Sequence, residues 1–530
     1  MTHRFVRFSL VLAVLSGGCA MEGSYDEGRY APPPSSPSYP ASDAGAPMGA
    51  AAPELAEPGE RYEAVGTNPF VRTAHDPFST FASDVDTASF DIFERDISAG
   101  VLPHPDSVRL EEYVNYFAYD YPTPRAHSEV PFDVHLALAP HPLGRDLALL
   151  RVAVQAEAAP AQVKRPTNLV FLVDVSGSMA SADKLPLAQT LMIAALDVLE
   201  PTDTVSIVAY ASNTGVRLAP TPVAERARIE AAVRALSASG STAGESGIRL
   251  AYAQAEAAFI AGGFNHVALM TDGDFNLGIT STEELVSLIE EKRRTGVTLT
   301  ALGFGRGNLN DAMMERVSNA GNGIYTVIVD EGHARRYVEE RLLSSVRHVA
   351  KDLKIQLELN PEHVVAYRLL GYENRALTTE QFRDDAVDAG EIGAGHRVTA
   401  LYELVLPHQS IPADAVVREG DPVEGERAIA PSDLVEVRVR YKALGASEED
   451  PAFEIRATLT PADLAAAGED ADLEWAAAIA AFAEILKGSP FGDEADLPRI
   501  GEIVRAQAGR DRDRARFVER FDAARALLSR

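Results

Sequence analysis

From about residue 166 to residue 350 the chain alternates continuous apolar runs with amphipathic stretches. Asn168–Val173 reads NLVFLV, the pattern of a strand buried on both faces. Helical spacing follows from Leu185 to Leu199 and stops before Pro201. Thr204–Tyr210 (TVSIVAY) predicts a second buried strand, and helices are predicted at about 224–236 and 244–261. Next come a strand at His266–Met270, a helix from about 282, a strand at Thr298–Phe304, and helices around 310–319 and 331–348. Such alternation specifies a parallel sheet covered by helices, with ligands held beyond the carboxyl ends of the strands.

The flanks carry a different period. Phe132, Val134, Leu136 and Leu138 alternate with polar or small residues, as do Leu150, Val152 and Val154. The alternation returns at Leu353, Ile355, Leu357 and Leu359, at Val398–Leu406, at Val435–Tyr441 and at Phe453–Leu459. Period-two strands on both sides of the α/β segment predict an α/β domain inserted into one antiparallel β-sandwich. Near the end, Trp475, Ile479, Phe482 and Leu486 form one helical stripe, closed by Gly488 and Pro490. Phe517, Phe521, Ala524 and Leu528 form another, and both read as core-packing faces.

The first residues read as an address. Arg4 and Arg7 precede the apolar run Phe8–Leu15 and then Ser16-Gly17-Gly18-Cys19, the layout of a secretory signal peptide too short to span a membrane. The small residues before Cys19 resemble the lipobox of bacterial lipoproteins, which implies lipidation of that thiol; Ser16 departs from the usual leucine. A plain secreted signal peptide is the alternative. Ala20 to Gly66 is rich in Pro, Ala, Ser and Gly without an apolar period, so it reads as a linker. The predicted division is then 1–18 signal peptide, 19–66 lipidated cysteine and linker, and 67–165 N-terminal segment with the first sandwich strands. It continues as 166–350 α/β domain, 351–460 further sandwich strands and 461–530 C-terminal helices.

Composition narrows the function classes. The 530 residues carry 49 Lys and Arg against 78 Asp and Glu, a net charge of −29. That balance argues against a phosphate-tracking nucleic-acid binder and against electrostatic docking on anionic lipid. With one cysteine the chain has no intrachain disulfide and no sulfur-rich zinc site.

Candidate chemistry sits at the ends of two predicted strands. After NLVFLV comes Asp174-Val175-Ser176-Gly177-Ser178, in which alternate side chains of an extended loop converge. Asp272 follows the strand His266–Met270, and Thr242 lies between them in the loop Gly240-Ser241-Thr242-Ala243-Gly244. Carboxylates and hydroxyls are hard oxygen donors, suited to Mg²⁺ or Mn²⁺. Asp174, Ser176, Ser178, Thr242 and Asp272 together resemble the metal-ion-dependent adhesion site of the von Willebrand factor type A domain. More loosely, the whole chain resembles bacterial von Willebrand factor type A lipoproteins, with the segments PFSTFASDVDTASF (77–90), GYENRAL (371–377) and DAGEIGAGH (388–396).

That resemblance implies a Rossmann-like α/β head, a bound Mg²⁺ (or Mn²⁺ or Ca²⁺), and a protein partner whose Asp or Glu carboxylate completes the metal's coordination. It also implies a non-enzymatic, lipid-anchored protein of the bacterial envelope, in the outer membrane if that envelope is Gram-negative. Two other functions fit the residues: a metal-dependent hydrolase at the same site, and an envelope scaffold with a vestigial site. Weaker signals are read as structural. Asp274 and Asn276 read as a polar turn, Asp84-Val85-Asp86-Thr87 as surface carboxylates before a helix, and Gly303-Phe304-Gly305-Arg306-Gly307 as a turn without dinucleotide-binding spacing.

Overall fold

A computed structural model of the chain describes residues 59–83, 86–124, 130–158, 165–240, 244–273, 282–342, 347–385, 387, 389–418, 428–446 and 450–530. The signal-peptide, lipidation and linker expectations before residue 59, with Asp84, Thr242, Asp274 and Asn276, lie outside the described residues. In chain order the opening elements are β1 (Phe70–Arg72), β2 (Phe78–Ala82), α1 (Ala88–Ser98), α2 (Leu110–Tyr116), β3 (Phe132–Pro140) and β4 (Ala148–Ala156). The head follows with β5 (Thr167–Asp174), α3 (Leu185–Ala195), β6 (Thr204–Tyr210), β7 (Gly215–Pro222), α4 (Arg226–Arg234) and α5 (Gly244–Ala257). It continues with β8 (Phe264–Thr271), α6 (Thr282–Arg293), β9 (Val297–Phe304), α7 (Asp311–Ala320), β10 (Tyr325–Ile328) and α8 (Glu331–Tyr337). The later strands are β11 (His348–Leu359), β12 (Ala366–Leu370), β13 (Ile392–Gly393), β14 (Arg397–Val405), β15 (Val417–Arg418), β16 (Val435–Lys442) and β17 (Phe453–Leu459).

The head sheet runs β10-β9-β8-β5-β6-β7 and is parallel except for β7. Strands β5 and β8 lie side by side in register, Val173 opposite Met270, and that pairing brings the two predicted site segments together. Helices bury both faces: Phe171, Leu191 and Ile207 belong to one core and Val170, Tyr252 and Leu269 to the other. Strands β7 and β10 were not predicted. The segment predicted as one helix over 331–348 ends as α8 at Tyr337, runs through a π-helical turn at Val338–Leu342, and gives way to β11 at His348.

The other two sheets, β15-β1-β12-β14-β4-β3 and the one built on β11, β16 and β17, face each other across a third core containing Val152, Leu357 and Val437. This is the expected sandwich, with strands drawn from both sides of the head. Three C-terminal helices, Ala471–Lys487, Leu497–Gln507 and Arg512–Leu528, cover its outer face together with α1 and α2. Trp475, Phe482, Phe517 and Phe521 are all fully buried there, as the two stripes predicted.

Helix α1 belongs to two cores at once. Ala88 and Ile92 enter the head's core, while Phe90, Phe93 and Ile97 enter the helical core. Polar pins reinforce the joint. Asp86 is 3 % exposed, not a surface carboxylate, and its Oδ1 accepts the Tyr325 amide at 2.8 Å. Asp91 accepts the Val327 amide and the Thr326 hydroxyl of β10. The motif arginine Arg375 donates to Asn319 and Glu315 of α7 and reaches Asp86, and Gly390 lies against Ser83 so closely that a side chain there would strike its carbonyl. The three motif segments therefore meet at the head–sandwich joint, around a cavity of about 400 Å³.

Candidate metal centre

Asp174 is the last residue of β5 and wholly buried. Its Oδ1 accepts the Ser176 amide at 2.8 Å, which turns the chain back so that the Ser176 side chain comes to the same strand end. Its Oδ2 accepts the hydroxyl of Thr271, the last residue of the neighbouring β8, at 3.2 Å. The Ser176 and Ser178 hydroxyls lie 2.9 Å apart. Ser176 precedes the short 3₁₀ turn Gly177–Ala180 without a side-chain cap bond, so its hydroxyl is not spent on helix capping. The Gly240 loop docks on this turn through Gly177 N–H to the Gly240 carbonyl and Ser239 N–H to the Val175 carbonyl. That anchors the approach to Thr242, itself outside the described residues. A cavity of about 430 Å³ opens on that side, lined by Val175, Ser212, Asn213, Arg217 and Ser239.

Asp272 is 1 % exposed and directly follows β8. The next residue, Gly273, has φ +89°, and a Cβ there would lie 2.5 Å from the Asn310 amide nitrogen. Only glycine lets the 308–310 loop close on the site at that point. Asp272 Oδ2 accepts the ammonium of Lys184 at 2.9 Å, an ion pair with both side chains buried. Lys184 escaped the sequence reading because a lysine before a helix is ordinarily a surface residue. The signal was the glycine-rich run after β9: a Cβ at Gly305, φ +73°, would lie 2.5 Å from Lys184 Cε, so that turn leaves room for the lysine stem.

The electrostatics of Asp174 suit a bound cation. Burial, with the neighbouring Asp272 charge adding to it, pushes the Asp174 carboxyl up to about 6 despite its hydrogen bonds. Among the described residues no cationic side chain pairs with Asp174, and a buried carboxylate without a counter-ion is costly. Nor does any cluster of three or more His, Cys, Asp or Glu side chains occur among the described residues. The donor set is instead one of carboxylates and hydroxyls, which fits a hard divalent cation. Four of the five predicted residues thus lie at the adjoining ends of β5 and β8.

Comparison with known proteins agrees with this architecture. Residues 167–327 match the family model for the von Willebrand factor type A domain, residues 56–151 a model described as von Willebrand factor, and residues 344–527 the model described as Uncharacterized protein YfbK, C-terminal. The YfbK protein of Escherichia coli (strain K12) is 36% identical over 488 residues, spanning 90% of this chain and 83% of its own. The chain belongs to the YfbK family. A second relative, the sll0103 protein of Synechocystis sp., is 25% identical over 306 residues, 55% of this chain and 71% of that protein. Among solved structures, the von Willebrand factor type A protein of Catenulispora acidiphila is similar over 76% of this chain and 90% of its own, at 19% identity and a TM-score of 0.41. As a YfbK-family protein, then, the chain carries a von Willebrand factor type A head in a bacterial sandwich framework.

Proposed function

We propose that the head is a divalent-cation-dependent binding module. Asp174, Ser176, Ser178, Thr242 and Asp272 hold the cation, Mg²⁺ foremost with Mn²⁺ or Ca²⁺ as substitutes, and an Asp or Glu side chain of a protein partner completes its coordination. The observation that carries this reading is the Asp174 carboxylate, buried beside two converging hydroxyls and a second carboxylate with no cationic side chain of its own among the described residues. Once bound, the metal supplies Lewis acidity toward an outside carboxylate. Of the five residues, Asp174, Ser176 and Asp272 are buried at the ends of β5 and β8, a setting that favours selective capture. The reading assigns binding rather than catalysis to the site.

The test is calorimetric titration of residues 20–530 with Mg²⁺ and Mn²⁺. Saturable binding that disappears in Asp174→Ala is expected; heat that is the same in both proteins sinks the reading. Ester or phosphate turnover dependent on Mn²⁺ and lost in the same variant would replace binding with hydrolysis.

The lipid anchor at Cys19 and an envelope location belong to the same proposal, resting on the sequence of the first twenty residues. Intact-mass measurement of the protein purified from membranes is expected to show an acylated N-terminal cysteine, and Cys19→Ser to release it into the soluble fraction. No helix among the described residues is long and apolar enough to cross a membrane.

A further inference from the structure

The cavity at the head–sandwich joint lies at the other end of the head sheet from Asp174 and Asp272. Its head-side wall comes from α6, from α7, and from Gly323 and Ile324, which lead into the amino end of β10. The opposite wall comes from Ala82 and Ser83 at the end of β2, from residues 374–377 and from the segment between 389 and 396. Its volume of about 400 Å³ falls within the range of small-molecule sites, about 300–1,000 Å³. We propose that this cavity binds a small, uncharged, hydroxyl-rich molecule, the chemistry of a mono- or disaccharide.

Charge sets the class first. Arg293, Arg316 and Arg375 on the wall are matched by Asp86, Glu290 and Glu391, so there is no net field to hold a phosphate or an ammonium ion. Arg375 is moreover spent on Asn319, Glu315 and Asp86. No Phe, Tyr or Trp stands among the described lining residues, so nothing there stacks on a nucleobase. Ala82, Ala320, Ala376 and Ala389 are small enough to leave the space open.

Hydrogen-bonding capacity sets it further. Ser83 is 2 % exposed, and its Oγ and the buried Nδ1 of His396 have no hydrogen-bond partner among the described residues. Buried polar atoms are ordinarily paired, and both residues face the cavity. Burial, with His348, Arg341 and Arg397 adding to it, brings the His396 imidazole down to about 3, so the ring is neutral and has one donor and one acceptor nitrogen. A ligand hydroxyl donates and accepts at once, so it satisfies either atom. Beside them Arg293 donates to Asn322 at 2.7 Å and Asn322 donates to Glu391, a chain of forked planar groups suited to neighbouring hydroxyls. Because the walls belong to both parts of the molecule, a bound sugar bridges head and sandwich and stabilises their joint.

The test is thermal melting and calorimetry of residues 20–530 with glucose, N-acetylglucosamine, maltose and trehalose, and with glucose 6-phosphate and glucosamine as charged counterparts. EDTA is present throughout, so the outcome is independent of the metal centre. At least one neutral sugar should raise the melting temperature and give saturable heat at up to about 50 mM, and the two charged sugars should do neither. Ser83→Ala should weaken that binding about fivefold without lowering the melting temperature of the free protein, since the hydroxyl it removes has no partner there. Val286→Trp, which fills the cavity from α6, should abolish binding, and if that variant does not fold Ser83→Ala decides alone. No response to any of the four neutral sugars means a cavity that holds water only, and overturns the proposal. Undiminished binding in the variants places the sugar elsewhere and overturns it too, as does tighter binding of either charged sugar.

Discussion

Asp91 shows how a single carboxyl joins two parts of the molecule. It is wholly buried on α1, where its Oδ2 accepts the Thr326 hydroxyl, the Val327 amide and, at 3.3 Å, the Thr87 hydroxyl. Burial pushes its carboxyl up from 3.8 to about 6, against the pull of Arg341 and those hydrogen bonds. The folded protein therefore keeps a proton there that the unfolded chain releases near pH 4. The resulting stabilisation is complete below that pH and is lost as pH rises through 6, a change of about 3 kcal/mol. Urea unfolding between pH 4 and 7 should show stability falling by about that much more in the unaltered protein than in Asp91→Asn. Equal slopes would show that this carboxyl is already ionised at pH 4. Arg109, 3 % exposed, donates to Asp311 at 2.6 Å and to Glu112, so Arg109→Ala takes the guanidinium away from two buried carboxylates. A loss of about 3–5 kcal/mol in the urea midpoint analysis is expected.

The strands legible in sequence are those whose environment is local and uniform. β5, β6, β8 and β9 are covered on both faces, so their residues form predominantly apolar runs. β7 reads GVRLAPTP: it is an antiparallel edge strand with prolines and exposed positions, and its pairing is broken by register shifts against β6. β10 has four residues, too few for a period, and its amides are secured by Asp86 and Asp91, more than 230 positions away in the chain. The site divides the same way. Asp174, Ser176 and Ser178 share one loop, and Asp272 follows a strong strand signal. Lys184 acquires its meaning only from Gly305, more than a hundred positions further on. If Asp86 secures β10, then Asp86→Ala should speed amide hydrogen exchange at Tyr325–Ile328 while the β5 amides keep their protection. Uniform exchange in the two proteins would mean that β9 alone holds β10 in place.

Across the whole molecule the cores are linked through aromatic packing. The Phe517 ring lies within 6.3 Å, centroid to centroid, of Phe90, Phe93, Phe117, Trp475, Phe482 and Phe521. Phe90 and Phe93 are on α1, so this cluster supports the helix that also enters the head. Phe517→Ala should cost about 3–5 kcal/mol. The loss should be visible both as a lower melting temperature and as faster exchange in β10, over 180 positions away. A local effect confined to the C-terminal helices would show that α1 is anchored to the head independently.

The shared helix also decides how this head could be transplanted. A fragment cut at the ends of its parallel sheet would present raw apolar surface where Ala88 and Ile92 had lain, and it would leave the Gly305 turn without Arg95 and Glu60. The piece that can be grafted onto another scaffold is discontinuous: the ribbon around Glu60, the helix from Ala88 to Ser98, and the sheet with its own helices. Anyone building a chimera from it has to splice three strips of sequence rather than one.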